Sequence, residues 1–134
     1  MNRRLLAAYR RTGYEAAGAV ARIGRRSAAV DALLQRLGAR EGAFVTAWNP
    51  WSRRTPPGWN ARMMARLRAA SRRLPSMEGE GRARGWAERH LLLAADTRRA
   101  AVLARRFRQS AMVVARIGAP ARLVLLPAAT FAPG

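Results

Sequence analysis

The chain has 134 residues and a mass of 14.7 kDa, a size that suits one domain, and half of its residues are hydrophobic. It contains 30 Ala and 26 Arg, no Lys and no Cys, and its seven acidic residues leave a net charge of +19. This composition excludes an acidic disordered chain, a collagen-like repeat and a disulfide scaffold, and no apolar run approaches the ~18 residues of a membrane span.

The positive charge is spread evenly along the chain. Residues 1–67 carry 13 Arg and 3 acids, a balance of +10, and residues 68–134 carry 13 Arg and 4 acids, a balance of +9. A basic surface attracts polyanions. An even spread is also what G+C-rich codon usage produces, because it favours Arg, Ala, Gly and Pro. Both interpretations stay open at this point.

The first eight residues open as a signal peptide or a twin-arginine leader does, with paired arginines followed by leucines and alanines. Such leaders continue with an apolar stretch of ~7–15 residues. Here Tyr9-Arg10-Arg11-Thr12 follows at once. We therefore expect a cytoplasmic protein with no membrane association.

The N-terminal third predicts a hairpin and a helix. Residues 12–15 and 20–23 are typical of two short strands around a bend at Gly18. Ser27 is placed to cap a helix that ends at Gly38. The apolar residues of this helix are spaced to form one buried face, which consists of Val30, Leu33, Leu34 and Leu37.

The middle of the chain predicts a buried strand, a turn and a second helix. Residues 43–48 form a short apolar run, and Asn49-Pro50-Trp51-Ser52 then turns the chain. A helix follows from Trp59 and ends before Pro75. Its predicted buried face consists of Trp59, Met63, Leu67 and Ala70. Trp48 and Trp59 both fit the apolar pattern, so we expect both to be buried.

The last part predicts two more strands, a helix and a hairpin. Residues 74–80 and 89–95 form strands joined by a loop over 81–86, and Asp96 or Thr97 caps the helix that follows. Strands over 111–115 and 122–126 surround a turn at 117–120, and a loose tail covers 127–134. We expect one domain over 1–134, with its core at about 9–126.

From Phe44 onward the predicted order is strand, helix, strand, strand, helix, strand. This order predicts an α+β fold with a ferredoxin-like (split βαβ) core, in which a mostly antiparallel sheet has helices packed on one face. The N-terminal hairpin and helix would extend this core.

Several segments, in this order, resemble the bacterial family catalogued as domain of unknown function 3293. They are Tyr9-Arg10 with Tyr14, Arg22-Ile23-Gly24, the run from Phe44 to Pro50 with Ser52-Arg53 and Asn60, Trp86 with Glu88, and Phe107, Gln109 and Ala111. The resemblance implies a stand-alone bacterial domain and no particular activity. This chain departs from the family pattern at Trp51, where Gly is usual, at His90, where a small residue is usual, and at Arg108-Gln109-Ser110, where Gly-Gln-Asn is typical.

One candidate site lies at the end of the buried strand. Thr46, Asn49 and Ser52 follow that strand, and Asn60 opens the next helix, whose N-terminus favours anions. Glu88 and Gln109, which lie on positions of the resemblance, complete a candidate pocket for an enzyme or a small-ligand-binding protein. The alternative is structural: these side chains satisfy backbone groups of the turn and of the first helical turn.

A second candidate site is a nucleic-acid surface. Trp51 lies in a loop beside Arg53 and Arg54, so its indole could stack on a base while the guanidinium groups contact phosphates. Arg62 and Arg66 extend the basic surface along the next helix. The leading prediction is a polyanion-binding module, and the alternative is that Trp51 folds onto the helix. A subunit with an exposed apolar patch for a partner protein is a third possibility.

Cofactor and metal chemistry have little support in the sequence. A metal would need Glu78, Glu80, Glu88 and His90 to converge, whereas nearby arginines could simply neutralise these acids. Without Cys there is no zinc cluster and no thiol nucleophile, and a lone His gives no frame for a Ser-His-Asp triad. No glycine-rich phosphate loop is present either. We therefore predict no metal and no cofactor.

Overall fold

The computed structural model describes residues 1–127, which form four α-helices and one seven-stranded sheet. In chain order the elements are α1 (Arg3–Arg11), β1 (Gly13–Ala16), β2 (Ala19–Ala21), α2 (Ala28–Arg36), β3 (Glu41–Val45), α3 (Pro57–Ala70), β4 (Ser76–Ala83), β5 (Trp86–Leu93), α4 (Thr97–Arg106), β6 (Ala111–Arg116) and β7 (Arg122–Leu125). A single 3-10 turn, Pro50–Ser52, lies between β3 and α3. No helix of residues 1–127 has the length and apolar character to cross a membrane. The predicted tail lies outside the described residues from residue 128 onward.

The sheet confirms the predicted α+β class and its antiparallel character. The strand order is β2-β1-β4-β5-β3-β6-β7, and all neighbouring strands are antiparallel. Helix α3 connects β3 to β4 with β5 lying between them, and α4 connects β5 to β6 with β3 lying between them. This order is compatible with the predicted split βαβ core. The two ends of the sheet also approach each other, because Ile23 forms a bridge with Ala121.

Helices cover both faces of the sheet. The two helices of the predicted core, α3 and α4, share one face as expected, and they pack there on residues such as Val45, Leu91 and Leu93. Helix α2 and part-buried Tyr9 of α1 cover the opposite face, which carries Phe44 and Leu92. Successive residues of a strand point to opposite faces, so β3 and β5 contribute to both cores. The N-terminal segment therefore adds a second helical layer.

Local sequence signals for helix ends are confirmed at two positions. The Ser27 hydroxyl accepts a hydrogen bond from the Val30 amide (3.2 Å) at the start of α2. The Asp96 carboxylate accepts one from the Arg99 amide (2.8 Å), so Asp96 rather than Thr97 caps α4. In both cases the side chain satisfies an amide that has no partner within the helix.

Helix α1 was not predicted. Its first turn is capped by Asn2, whose side-chain oxygen accepts a hydrogen bond from the Leu5 amide (2.8 Å). Leu5 and Tyr9, one turn apart, lie toward the protein, and none of the α1 residues is fully buried. The residues that open like a leader sequence thus form a basic surface helix.

The predicted loop over 81–86 is wrong. Strand β4 continues to Ala83 and β5 begins at Trp86, so Arg84-Gly85 alone forms the turn, with Gly85 at φ 71°. Of the two turn residues only Gly85 has a positive φ, and glycine adopts this left-handed backbone without strain. Gly81 does not break the strand, because it pairs with both Tyr14 and Glu88.

The predicted buried face of helix α3 is correct at Leu67 and wrong by one residue at its other positions. Asn60, Met64 and Ser71 are buried, whereas Met63 is partly buried and Trp59 is 42% exposed. The expected burial of Trp59 is therefore wrong, whereas Trp48 is partly buried against the α3–α4 core. Helix α3 begins at Pro57, two residues earlier than predicted, because proline fits the first helical turn.

Candidate functional site

A cavity of about 1090 Å³ lies on the face of the sheet that α1 and α2 cover. Its floor is apolar and aromatic and includes Tyr14, Phe44, His90 and Val113. Helix α1, the loop between β3 and α3, and the β4–β5 hairpin form its walls. All six predicted ligand-binding residues line it: Thr46, Asn49, Ser52, Asn60, Glu88 and Gln109.

Thr46 anchors the end of strand β3. Its hydroxyl donates a hydrogen bond to the Arg89 carbonyl oxygen (2.6 Å) on β5 and accepts one from the Trp48 amide (3.0 Å). These bonds satisfy backbone groups at the point where the strand pairing stops. The Thr46 hydroxyl thus shapes the cavity wall and has no donor left for a ligand.

Asn49, Thr55 and Asn60 tie the loop together. The Asn60 side-chain oxygen accepts hydrogen bonds from the Asn49 amide (3.1 Å) and the Thr55 hydroxyl (2.5 Å). The Asn49 side-chain oxygen accepts from the Thr55 amide (3.0 Å) and from Asn60 Nδ2 (3.2 Å). Asn49 and Asn60 thus satisfy backbone groups of the loop, as the structural alternative to ligand binding predicted. Their hydrogen bonds hold the loop in this conformation.

Glu88 is the carboxyl group of the cavity wall. Asn49 Nδ2 donates a hydrogen bond to Glu88 Oε1 (2.6 Å), which links the loop to strand β5. Burial raises the pKa of Glu88, and the hydrogen bond from Asn49 opposes that shift. A buried carboxyl group of raised pKa takes up a proton more readily than a solvated one.

Two tyrosines lie beside Glu88. Burial raises the pKa of Tyr9, a hydrogen bond with Ser52 lowers it in part, and the charge of Glu88 raises it. Burial likewise raises the pKa of Tyr14, whose hydroxyl donates to the Tyr9 carbonyl oxygen (3.4 Å). Both phenols are therefore neutral at physiological pH and offer hydroxyl groups rather than charges.

His90 forms part of the floor and is only 4% exposed. Its Nε2 lies 2.6 Å from the Glu15 carbonyl oxygen, so this nitrogen carries the proton and donates. The ring stacks against Tyr14 with centroids 6.2 Å apart and meets the edge of Phe44 at 4.9 Å. Burial lowers the pKa of His90 to about 4, against the opposing effect of the Glu15 hydrogen bond. The imidazole is accordingly a neutral part of the floor.

Gln109 also serves the backbone around the cavity. Its Nε2 donates hydrogen bonds to the carbonyl oxygens of Trp48 (3.0 Å) and Phe107 (3.2 Å). These bonds connect the segment after α4 to the segment after β3. Ser52, by contrast, is exposed, and its hydroxyl contacts the Ser110 hydroxyl (3.3 Å).

Two residues near the cavity, one in the loop between β3 and α3 and one just after α4, have the left-handed backbone conformation that glycine adopts most readily. Trp51 and Arg108 have φ values of 56° and 57°, and the Trp51 amide donates to the Arg108 carbonyl oxygen (2.7 Å). Left-handed backbone strains residues that have a Cβ atom. This is a physical reason for glycine at both positions in the family that the sequence resembles.

Sequence reasoning missed the aromatic and basic parts of the cavity. Tyr9, Tyr14 and Trp86 are among the residues that carry the family resemblance, and this was the one signal that could have marked them. The resemblance assigns them no role, so they were not predicted as site residues. The rim also contains three exposed arginines, Arg11, Arg54 and Arg84, and the first and last of these belong to no predicted site. Arg54 is the one residue that belongs to the predicted nucleic-acid surface and also lines this cavity.

The other residues of the predicted nucleic-acid surface are exposed. Trp51 is 41% exposed, and Arg53, Arg54, Arg62 and Arg66 are exposed as well. The Arg62 guanidinium lies 6.0 Å from the ring centre of Trp59, on the edge of cation–π range. Within residues 1–127 the ion pairs join Arg68 to Glu78 and Arg82 to Glu80, and neither involves these arginines.

The acidic residues of the hairpin do not converge on a metal site. In the β4–β5 register Gly79 lies opposite His90 and Gly81 opposite Glu88. Glu78 and Glu80 therefore point to the other face of the sheet. In the part of the chain that the structure describes, no three His, Asp or Glu side chains lie close enough together to hold a metal ion.

A family model described as "Protein of unknown function (DUF3293)" matches residues 45–112. No curated protein and no solved structure matches the chain significantly. The matched segment runs from the end of β3 into β6 and includes all six predicted ligand-binding residues.

Proposed function

We propose that this chain, which belongs to the DUF3293 family of proteins of unknown function, binds a small organic anion in the cavity at the end of strand β3. The observation that carries the proposal is convergence: three segments far apart in sequence, represented by Asn49, Glu88 and Gln109, line one cavity of about 1090 Å³. Cavities of roughly 300–1,000 Å³ with a few polar groups on an apolar floor are typical of small-molecule sites.

The chemistry of the lining favours a ligand with an apolar, planar part and an anionic group. Tyr14, Phe44 and neutral His90 offer an aromatic floor. Arg11, Arg54 and Arg84 at the rim offer guanidinium groups, which bind carboxylates and phosphates through paired hydrogen bonds. We therefore infer an aromatic or cyclic carboxylate or phosphate ester as the ligand class.

Glu88 gives the site its polar centre. The loop that holds Glu88 through Asn49 is already ordered by hydrogen bonds, so ordering it on binding costs little free energy. If the chain is an enzyme, Glu88 is the residue for proton transfer with the bound molecule.

The test is a thermal-shift screen of the full chain with small aromatic carboxylates and phosphate esters. A ligand present at 100 times its Kd stabilises the folded state by ~2.7 kcal/mol, which gives a clear rise in Tm. We expect Arg54→Ala and Arg84→Ala to reduce this rise, because each removes a guanidinium group from the rim, and we expect Ala8→Trp, whose indole would occupy the cavity, to abolish it. Arg36→Ala, on exposed α2 surface, serves as the control and should leave the rise unchanged. A panel without any hit, or a hit that all three cavity variants keep, overturns the proposal.

A second candidate function, polyanion binding through the Trp51–Arg54 loop, is favoured by a different observation. Trp51 is 41% exposed beside Arg53 and Arg54, neither of which is in an ion pair within residues 1–127. Stacking of one base on an aromatic ring contributes ~1–3 kcal/mol, and phosphate contacts make binding salt-dependent.

Labelled single-stranded DNA tests this second candidate by fluorescence anisotropy. We expect affinity to fall steeply between low and physiological salt, and Trp51→Ala to weaken binding by roughly 5- to 100-fold. Trp86→Ala is the matched control, because Trp86 is equally exposed but lies on the β4–β5 hairpin. Affinity that does not change with salt, or equal losses in both variants, contradicts this function.

A further inference from the structure

A second concave surface, which we call the α3–α4 groove, has a volume of about 930 Å³ and shares no lining residue with the cavity. Its apolar lining consists mainly of Met63, Leu74, Val102, Leu103 and Phe107. Five arginines surround this lining: Arg66, Arg72, Arg73, Arg99 and Arg106. Among the described residues that line the groove, none is acidic.

Helix α4 presents a regular stripe to the groove. Arg99, Val102, Leu103 and Arg106 are spaced as i, i+3, i+4 and i+7, so they lie on one side of the helix. Val102 is 61% exposed, more than any other large hydrophobic side chain in residues 1–127. An apolar side chain thus stands in solvent between two cations that are two helical turns, or ~10 Å, apart.

Helix α3 forms the other wall in a similar way. Met63, Arg66 and Ala70 follow the same spacing, and Arg73 continues it just beyond the helix end. Ala69 and Ala70 are small, so a third helix can approach closely between the two walls. Grooves of this kind accept the apolar face of an amphipathic helix.

We propose that the α3–α4 groove docks an acidic amphipathic helix of a partner protein. Charge complementarity identifies the occupant: acidic side chains at the two edges of such a helix would meet the five arginines, and its apolar side chains would cover Val102 and Leu103. A second copy of this chain, with a net charge of +19, would set arginines against arginines. The segment 128–134 contains no acidic residue, so as an occupant it would offer the five arginines no carboxylate side chain.

A nucleic acid matches this groove less well than a peptide does. Nucleic-acid surfaces combine cations with exposed aromatic rings on which bases stack. The only aromatic side chain of this lining, Phe107, is 6% exposed, and the exposed part of the floor is aliphatic. Phosphates would pair with the arginines but would leave Val102 in contact with water.

The experiment uses the full chain and a fluorescein-labelled peptide of about 18 residues, with leucines on one helical face and glutamates elsewhere. Anisotropy titration at physiological salt gives the Kd. We expect Val102→Asp to weaken binding at least ~10-fold and the double variant Arg99→Glu, Arg106→Glu at least ~30-fold. All three positions are exposed, so the variants should fold.

Matched controls separate docking from general attraction to a basic protein. Val20→Asp, at an exposed valine of β2, and the double variant Arg36→Glu, Arg40→Glu should change the Kd less than twofold. A peptide of the same composition without an apolar face should bind at least ~10-fold more weakly.

Four outcomes overturn the proposal. Equal binding of the two peptides would show that the groove attracts negative charge without recognising an apolar face. Tighter binding of a single-stranded DNA of equal charge, with the same effects of the variants, would show that the groove is a nucleic-acid site. Peptide binding that appears only after deletion of 128–134 would make that segment the occupant. Dimerisation of the free chain that Val102→Asp abolishes would make a second copy the occupant.

Discussion

Gly79→Ala is expected to lower the free energy of unfolding by roughly 3–5 kcal/mol, or to prevent folding. A Cβ atom at Gly79 would lie 1.8 Å from the Glu15 carbonyl oxygen and 2.8 Å from the Cα atom of Ala16. Both contacts are with backbone of the neighbouring strand, which no side-chain rotation relieves. Strand β1 would have to separate from β4, and the floor of the cavity would lose Tyr14 with it.

Gly81→Ala is the matched control for this prediction. It lies on the same strand and side, but its Cβ atom would meet the Thr12 methyl group at 3.4 Å and the Tyr14 ring at 3.6 Å, which are ordinary contacts. We expect its free energy of unfolding to stay within about 1 kcal/mol of the wild type. Urea denaturation followed by circular dichroism gives both values. Similar midpoints for the two variants would show that β1 does not pack against β4 as described.

Two helix ends and the order of the elements from β3 to β6 along the chain were predictable because their signals are local. Ser27 and Asp96 each stand directly before a periodic apolar segment, and the capping hydrogen bond involves residues three positions apart. The candidate ligand residues after β3 followed from a similarly local feature, a polar turn at the end of a buried strand. Thr46, Asn49 and Asn60 are accordingly found together at the cavity.

The rest of the cavity depends on pairing between distant segments. Residues of β1 pair with Gly79 to Arg82, more than sixty positions later in the chain. This pairing brings Tyr9 and Tyr14 to Glu88, and no spacing within the N-terminal segment indicates it. Long-range strand pairing is also what decides which face Glu78 and Glu80 occupy, so the proposed convergence of carboxylates could not be decided from the sequence.

The sequence of helix α3 allows two neighbouring faces that share Leu67. Trp59, Met63 and Ala70 form the more apolar one, but Asn60, Met64 and Ser71, each one position later, are the residues that are buried. Contacts with the rest of the fold decide between the two faces, and the polar Asn60 and Ser71 gave no apolar signal. Trp59 is consequently exposed, and Asn60 becomes the buried residue that holds the loop.

The second large effect concerns His90, whose ring reaches across strand β4. His90 on β5 lies opposite Gly79 on β4, yet its Nε2 donates to the Glu15 carbonyl oxygen on β1, one strand further. The ring can take this path because Gly79 has no side chain. Tyr14 and Phe44 pack around the ring, so a second proton would place a charge in an apolar site.

We therefore expect the folded state to lose stability as the pH falls from about 6.5 to about 4. Burial lowers the pKa of His90 from its ordinary 6.5 to about 4, although the Glu15 hydrogen bond and the nearby Glu80 charge oppose this shift. Between these two pH values the unfolded chain binds a proton that the folded chain does not, so stability rises with pH there. This stabilisation is present in full above pH 6.5, the unfolded pKa, and roughly 3 kcal/mol of it is lost by pH 4.

His90→Gln isolates this effect, because glutamine keeps a donor for the Glu15 carbonyl but does not titrate. The difference in free energy of unfolding between wild type and variant should be constant above pH 7 and should move in favour of the variant below pH 6. Taking this difference removes the contribution of Glu88, whose raised pKa acts in the opposite direction by favouring the folded state at low pH. Urea denaturation at several pH values provides the comparison. If the free energies of unfolding of wild type and variant run parallel between pH 4 and pH 7, His90 has the same pKa in the folded and unfolded chains. That result would contradict a buried, neutral imidazole.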